Sequence, residues 1–190
     1  MKLLACLLFA LAFPFTALAD LPEPGVELPP FTIDNMGLLV LEGEDISHVP
    51  FELESVRGRP IYLQHLAARV GLDETYQPLS DVIEERFDPD TFFSVAIINR
   101  DDAAFGTGFI VTSTLKSNKR RYPDANIVVD GEGKILQAWD LQPKSAAVMI
   151  LDAEGTVLFF KEGALTESEQ SEVIDLLDSA INSVEAELVE

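Results

Sequence analysis

The sequence predicts an α/β domain built on a mixed β-sheet flanked by helices. Three observations carry this. Strand-like apolar runs alternate with segments of helical period in the first half, as in βαβ units. One run, Phe92 to Asn99 (FFSVAIIN), is apolar nearly throughout, the pattern of a strand buried on both faces. The second half carries two hairpin signals and then a capped amphipathic helix, which adds antiparallel strands to the sheet.

Residues 1–19 read as a secretory signal peptide. Lys2 is a one-charge n-region, Leu3 to Phe15 is apolar, and Ala17-Leu18-Ala19 is a small-x-small cleavage site before Asp20. Residues 20–30 (DLPEPGVELPP) are acidic and Pro-rich, and read as an extended leader outside the core. Residues 31–190 then form the domain. Phe31 to Leu41 suggests a short hairpin turning at Asp34-Asn35-Met36-Gly37.

Ile61 to Leu66 reads as a strand. Asp73 to Phe87 reads as a helix, with Leu79, Val82, Ile83 and Phe87 at helical spacing and Pro78 near its first turn. A second helix is expected over Phe109 to Tyr122, entered through Gly106-Thr107-Gly108 and stopped by Pro123. Asn126 to Trp139 is expected to form a hairpin turning at Asp130-Gly131-Glu132-Gly133. Ala147 to Phe160 is expected to form another, turning at Asp152-Ala153-Glu154-Gly155. Thr166 and Glu169 make a capping box, after which Val173, Leu177, Ile181, Val184 and Leu188 share one helix face.

Composition excludes several functions. Cys6 is the only cysteine and leaves with the signal peptide, so the exported chain has neither a disulfide nor a thiol nucleophile. The net charge is −20. Nine acids and no base lie between Asp20 and Val56, and nine acids and no base between Glu162 and Glu190. Nucleic acid and anionic membrane surfaces are therefore poor partners, since both need Lys and Arg. No cofactor signature is present.

The order of elements resembles a thioredoxin-like domain of the peroxiredoxin and cytochrome-maturation type. YPDANIVVDGEGKILQAWDL is similar to the hairpin such proteins insert, and SAAVMILDAEGTVLFFKEGALT to their final hairpin. Gln64-His65-Leu66-Ala67-Ala68-Arg69, Asn99-Arg100-Asp101-Asp102-Ala103, Ser117-Asn118-Lys119, Ser145-Ala146-Ala147 and Gly163-Ala164-Leu165-Thr166 look like the bacterial YtfJ family. That resemblance covers about residues 25–185. It implies an exported Gram-negative protein, hence a periplasmic one, with a thioredoxin-like fold and no established activity. It also shows what is missing. The positions matching Cys-x-x-Cys are Val70-Gly71-Leu72-Asp73, and the position matching the fold's cis-proline is Ala146.

The remaining candidates each have two readings. His65 is either a general base or a strand histidine hydrogen-bonded to its neighbours. Arg69, before the vacant cysteine position, binds an anion or pairs with Asp73, Asp101 or Asp102. Asp101 and Asp102, after the buried strand, hold a hard cation or complement the next helix dipole. Gly106 and Gly108 cradle an anion with backbone N–H groups, or only open a helix. Lys119, in the Lys116 to Arg121 cluster, is an anion contact or a helix C-terminal charge. Gln64 is a further ligand candidate. The expected function is a non-catalytic module binding a small ligand or a periplasmic protein. The alternative is an enzyme using acid–base or carboxylate–metal chemistry at the same end of the sheet.

Overall fold

The computed structural model describes residues 21–69, 72 and 74–187. The expected signal peptide lies outside them, as do Val70, Gly71 and Asp73. The strands are β1 (Thr32–Glu42), β2 (Asp45–Glu52), β3 (Ile61–Ala67), β4 (Phe93–Asn99), β5 (Asn126–Asp130), β6 (Ala146–Leu151) and β7 (Val157–Glu162). The helices are α1 (Gln77–Arg86), α2 (Gly108–Arg121), α3 (Lys134–Ala138) and α4 (Glu167–Glu187).

One seven-stranded sheet has the order β2-β1-β5-β4-β3-β6-β7. β3, β4 and β5 run parallel, and the strands outside them pair antiparallel. The mixed sheet follows from the connections. Crossovers through α1 and α2 keep β3, β4 and β5 parallel, whereas the tight turn between β6 and β7 reverses the chain.

Each face of the sheet has its own core. On one, α1, α2 and α4 cover Tyr62, Leu66, Ile98, Val129 and Val148. On the other, Ile135 of α3, Trp139, Leu141, Leu53 and Leu28 cover Ile61, Leu63, Val95, Ile97 and Val128. β3 and β4 supply residues to both, which is why their sequences are apolar without alternation.

The final hairpin forms as expected. Asp152 Oδ1 accepts from Glu154 N at 3.1 Å and Thr156 N at 2.7 Å, closing the turn. The capping box also forms: Glu169 Oε2 accepts from Thr166 N at 2.8 Å, and Thr166 Oγ1 accepts from Glu169 N at 3.3 Å. α4 buries Val173, Leu177 and Ile181; Val184 is half-buried and Leu188 lies outside the described residues.

Four expectations are corrected. First, Asp34 to Gly37 is a bulge within β1, and the chain reverses at Gly43 and Glu44 instead. The bulge bonds sideways: Asn35 Nδ2 donates to Glu132 Oε1 at 2.6 Å, Lys134 pairs with Asp34, and Met36 registers with Asp130 of β5. Gly37 has φ +76°, and a Cβ there would lie 2.1 Å from the Val49 carbonyl oxygen, so only glycine fits. Second, Asn126 to Trp139 is not a hairpin. β5 ends at Asp130 and the chain enters α3, placing Ile135 and Trp139 at helical spacing in the second core. Third, α1 begins at Gln77 rather than Asp73, because Pro78 has no N–H to donate and is tolerated only in a first turn.

Fourth, the leader is not outside the core. Leu28 is buried, and Gly25 N and Leu28 N donate to Val157 O and Gly155 O at 2.8 and 2.9 Å. Arg57 fastens it. Its Nη1 donates to Glu27 Oε1 and to Glu154 O, both at 2.6 Å, and its Nη2 donates to Leu28 O at 3.1 Å. Removing the guanidinium takes away its bonds to two carbonyls and its ion pairs with Glu27 and Glu54. Arg57→Ala is expected to lower stability by about 2 kcal/mol in urea unfolding; an unchanged midpoint would show that the leader is held by Leu28 packing alone.

Candidate functional site

The C-terminal ends of β3, β4 and β5 lie side by side, where open α/β sheets place their ligands. Three polar side chains stand there on the face covered by α3. His65, Asn99 and Asp130 are 2%, 1% and 0% exposed. Each lies two residues after Leu63, Ile97 or Val128 of the second core, so strand geometry sends it to the same inward face.

Asp130 organises the group. Its Oδ1 accepts from Glu132 N at 3.2 Å and its Oδ2 from Ile135 N at 2.9 Å, which caps the first turn of α3. Its backbone oxygen accepts from Arg100 N at 2.9 Å. Asn99 Oδ1 accepts from Asp101 N at 3.0 Å, and Asn99 Nδ2 donates to Asp102 Oδ2 at 3.1 Å. Asp102 Oδ2 also accepts from Lys144 N at 2.9 Å, tying the turn after β4 to the segment before β6. Ser145 O accepts from Ala67 N at 3.0 Å, next to buried Ala146.

His65 is the exception. Its Nε2 is buried with no hydrogen-bond partner among the described residues. Burial pushes its pKa down to about 4, against the opposing pull of Asp130 and Asp102. The imidazole is closed to solvent here, and among the described residues it is not bonded to its neighbours through Nε2.

The other candidates do not converge on it. Gln64 faces the opposite core, where its Nε2 donates to Tyr62 Oη and Ser80 Oγ, both at 2.8 Å. These contacts fix α1 on the sheet. Burial pushes the Tyr62 phenol up to about 12, so it stays protonated. Lys119 is not an anion contact: its Nζ donates to Pro123 O at 2.6 Å and Ala125 O at 2.8 Å, closing the turn between α2 and β5. Arg69 is half-buried just past β3, its Nε without a hydrogen-bond partner among the described residues. Asp101 is exposed. Among the described residues, no group of three or more His, Cys, Asp or Glu side chains is placed to hold a metal ion.

Gly106 and Gly108 flank a different feature. Gly106 takes φ +81°, and Gly108 packs on Arg100, where a Cβ would sit 3.1 Å from Nη2. Around them Phe105 is fully exposed, Phe109 is 83% exposed and Ile110 is 63% exposed. Sequence reasoning missed this cluster, as it missed Asn99 and Asp130. The available signal was apolar residues around Gly-Thr-Gly at a helix entry, out of step with the helical period of Val111 and Leu115.

The depressed His65 pKa has a consequence for stability. As pH falls, the unfolded chain takes up this proton near the ordinary value of 6.5, before the folded chain does. The stability tied to neutral His65 is therefore complete above pH 6.5 and is lost between 6.5 and about 4, by roughly 3 kcal/mol at most. Urea unfolding of His65→Leu should lose less stability than the natural chain over that interval. Parallel pH profiles would contradict the buried neutral imidazole.

Comparison with known proteins agrees with this fold. The family described as "Bacterial protein of unknown function (YtfJ_HI0045)" matches residues 23–180. The uncharacterized protein YtfJ of Escherichia coli (strain K12) is 38% identical over 181 residues, 95% of this chain and 97% of its own. An uncharacterized protein of Haemophilus influenzae is 35% identical over 152 residues, 80% of this chain and 83% of its own. Among solved structures, a candidate thiol:disulfide interchange protein DsbE from Chlorobium tepidum superposes with a TM-score of 0.59 at 15% identity, covering 84% of this chain and 99% of that one. The fold is thioredoxin-like, with a mixed sheet flanked by helices. With the family match spanning most of its length and relatives identical at more than a third of aligned positions, the chain belongs to the YtfJ_HI0045 family of bacterial proteins.

Proposed function

We propose that this chain is an exported, redox-inactive module that binds a partner at the C-terminal end of its sheet without chemical turnover. The observation that carries this reading is a contrast at that end. The polar groups of the strand tips are buried or bonded within the protein, whereas the loop after β4 and the first turn of α2 leave Phe105, Phe109 and Ile110 in water. An enzyme needs the reverse: reactive groups open to substrate, held by an apolar surround. Loss of every thiol beyond Cys6 supports a scaffold kept without its redox chemistry. The signal-peptide pattern supports a periplasmic location.

Two measurements test the reading. The purified chain beginning at Asp20 should neither reduce insulin nor consume peroxide when an external reductant is supplied, and activity in either assay would refute redox inactivity. The protein recovered from a periplasmic fraction should begin at Asp20, and a full-length cytoplasmic product would refute export.

A further inference from the structure

α2 differs from the rest of the chain in charge as well as in apolar exposure. From Ala103 to Pro123 there is no Asp or Glu, in a protein of net charge −20. Lys116, Arg120 and Arg121 lie on this helix and Arg100 at its base, and none of the four forms an ion pair among the described residues. Every ion pair among those residues is made by Arg57, Arg86, Lys134 or Lys161, elsewhere in the fold. With acids in such excess, three cations on α2 and a fourth at its base, none in an ion pair among the described residues, mark a local positive field in a negative molecule.

The outward face of α2 is graded. Phe109 and Ile110 are exposed in its first turn, beside Phe105. Ser113, Thr114 and Ser117 are exposed in the middle, and Arg120 and Arg121 at the end. The inward face, through Val111 and Leu115, packs on the sheet. Phe109 and Arg120 are eleven residues apart, roughly 16 Å along the helix axis. About five residues of extended chain span that distance.

We infer that the outward face of α2, with Phe105, is a docking surface for an acidic polypeptide segment carrying apolar side chains about five residues from its carboxylates. The inference rests on the binding-module reading and names the partner's chemistry. Apolar side chains of the partner cover Phe105, Phe109 and Ile110, its carboxylates meet Arg120 and Arg121, and the small hydroxyl side chains between allow close backbone approach. An anionic bilayer and a second copy of this chain carry far more negative charge than a short segment, so the net charge of −20 repels them much more strongly than it repels the segment.

The test uses the folded chain from Asp20 and short synthetic peptides followed by amide NMR shifts. The probe has Phe-Leu at one end, a Ser/Gly spacer and Glu-Glu at the other, made in both chain directions. One control replaces Glu with Lys, and another replaces Phe-Leu with Ser. The expected result is saturable shifts at Phe105 to Ile110 and at Arg120 and Arg121, absent with both controls. Phe105→Ser with Phe109→Ser should weaken binding at least tenfold at an unchanged melting temperature. No saturable shift, or equal shifts with the lysine peptide, overturns the surface. So do equal shifts from anionic vesicles, or concentration-dependent self-association through the same amides. Saturable shifts near Arg69 and Lys144 instead also overturn it while leaving the module reading intact. Chemical change in the peptide, followed by mass spectrometry, overturns the non-catalytic reading and the docking role with it.

Discussion

One buried carboxyl group, that of Asp130, holds together the parts of the molecule that meet at the C-terminal end of the sheet. Its two side-chain oxygens receive N–H groups from Glu132 and Ile135, and its backbone oxygen receives Arg100 N. Through those three bonds the end of β5 fixes the start of α3 and the turn after β4. The bulge of β1 registers against the same residue through Met36. A fully buried acid is costly unless its oxygens are bonded, so the surrounding backbone must keep this arrangement. Asn99 and Asp102 extend it to Lys144, and thereby to the segment before β6.

This network accounts for the division between buried polar groups and exposed apolar ones at the C-terminal end of the sheet. Polar groups there satisfy backbone donors from neighbouring loops, and His65 is sealed beneath them. What is left exposed is the loop that the network positions, from Ala103 into α2, and this is the surface proposed to meet a partner. The thioredoxin-like frame thus survives with its strand tips given over to holding loops. Arg57 plays the corresponding role at the opposite end of the sheet, where it fastens the leader to the turn between β6 and β7.

Much of the fold is legible in the sequence because the determining interactions are local. The unbroken apolar run of β4 reports burial on two faces, the Asp152 turn closes its own hairpin, and Thr166 with Glu169 caps its own helix. The misread segments depend on distant partners. Asp130-Gly131-Glu132-Gly133 has the composition of a hairpin turn, but the Asp130 side chain caps a helix whose Ile135 and Trp139 find the second core. Asp34 to Gly37 resembles a turn until β5 supplies a partner for its middle. The candidate residues scattered for two reasons, the pleat of a strand and the course of a neighbouring turn. Gln64 and His65 are adjacent in sequence, and the pleat of β3 sends them to opposite faces. Lys119 sits within a basic cluster, but the carbonyls that bind it are set by the turn into β5.

The central claim is that the ionisable groups at the strand ends serve the fold and not catalysis, and the imidazole of His65 reports on this directly. Its ring nitrogens can be followed by nitrogen-15 NMR in the folded chain as pH is lowered from 7. The account predicts a neutral ring with a single tautomer, unchanged through pH 5 and gaining a proton only near pH 4. A reversible titration centred near 6.5, with the fold intact, would show an imidazole open to solvent and would contradict the account.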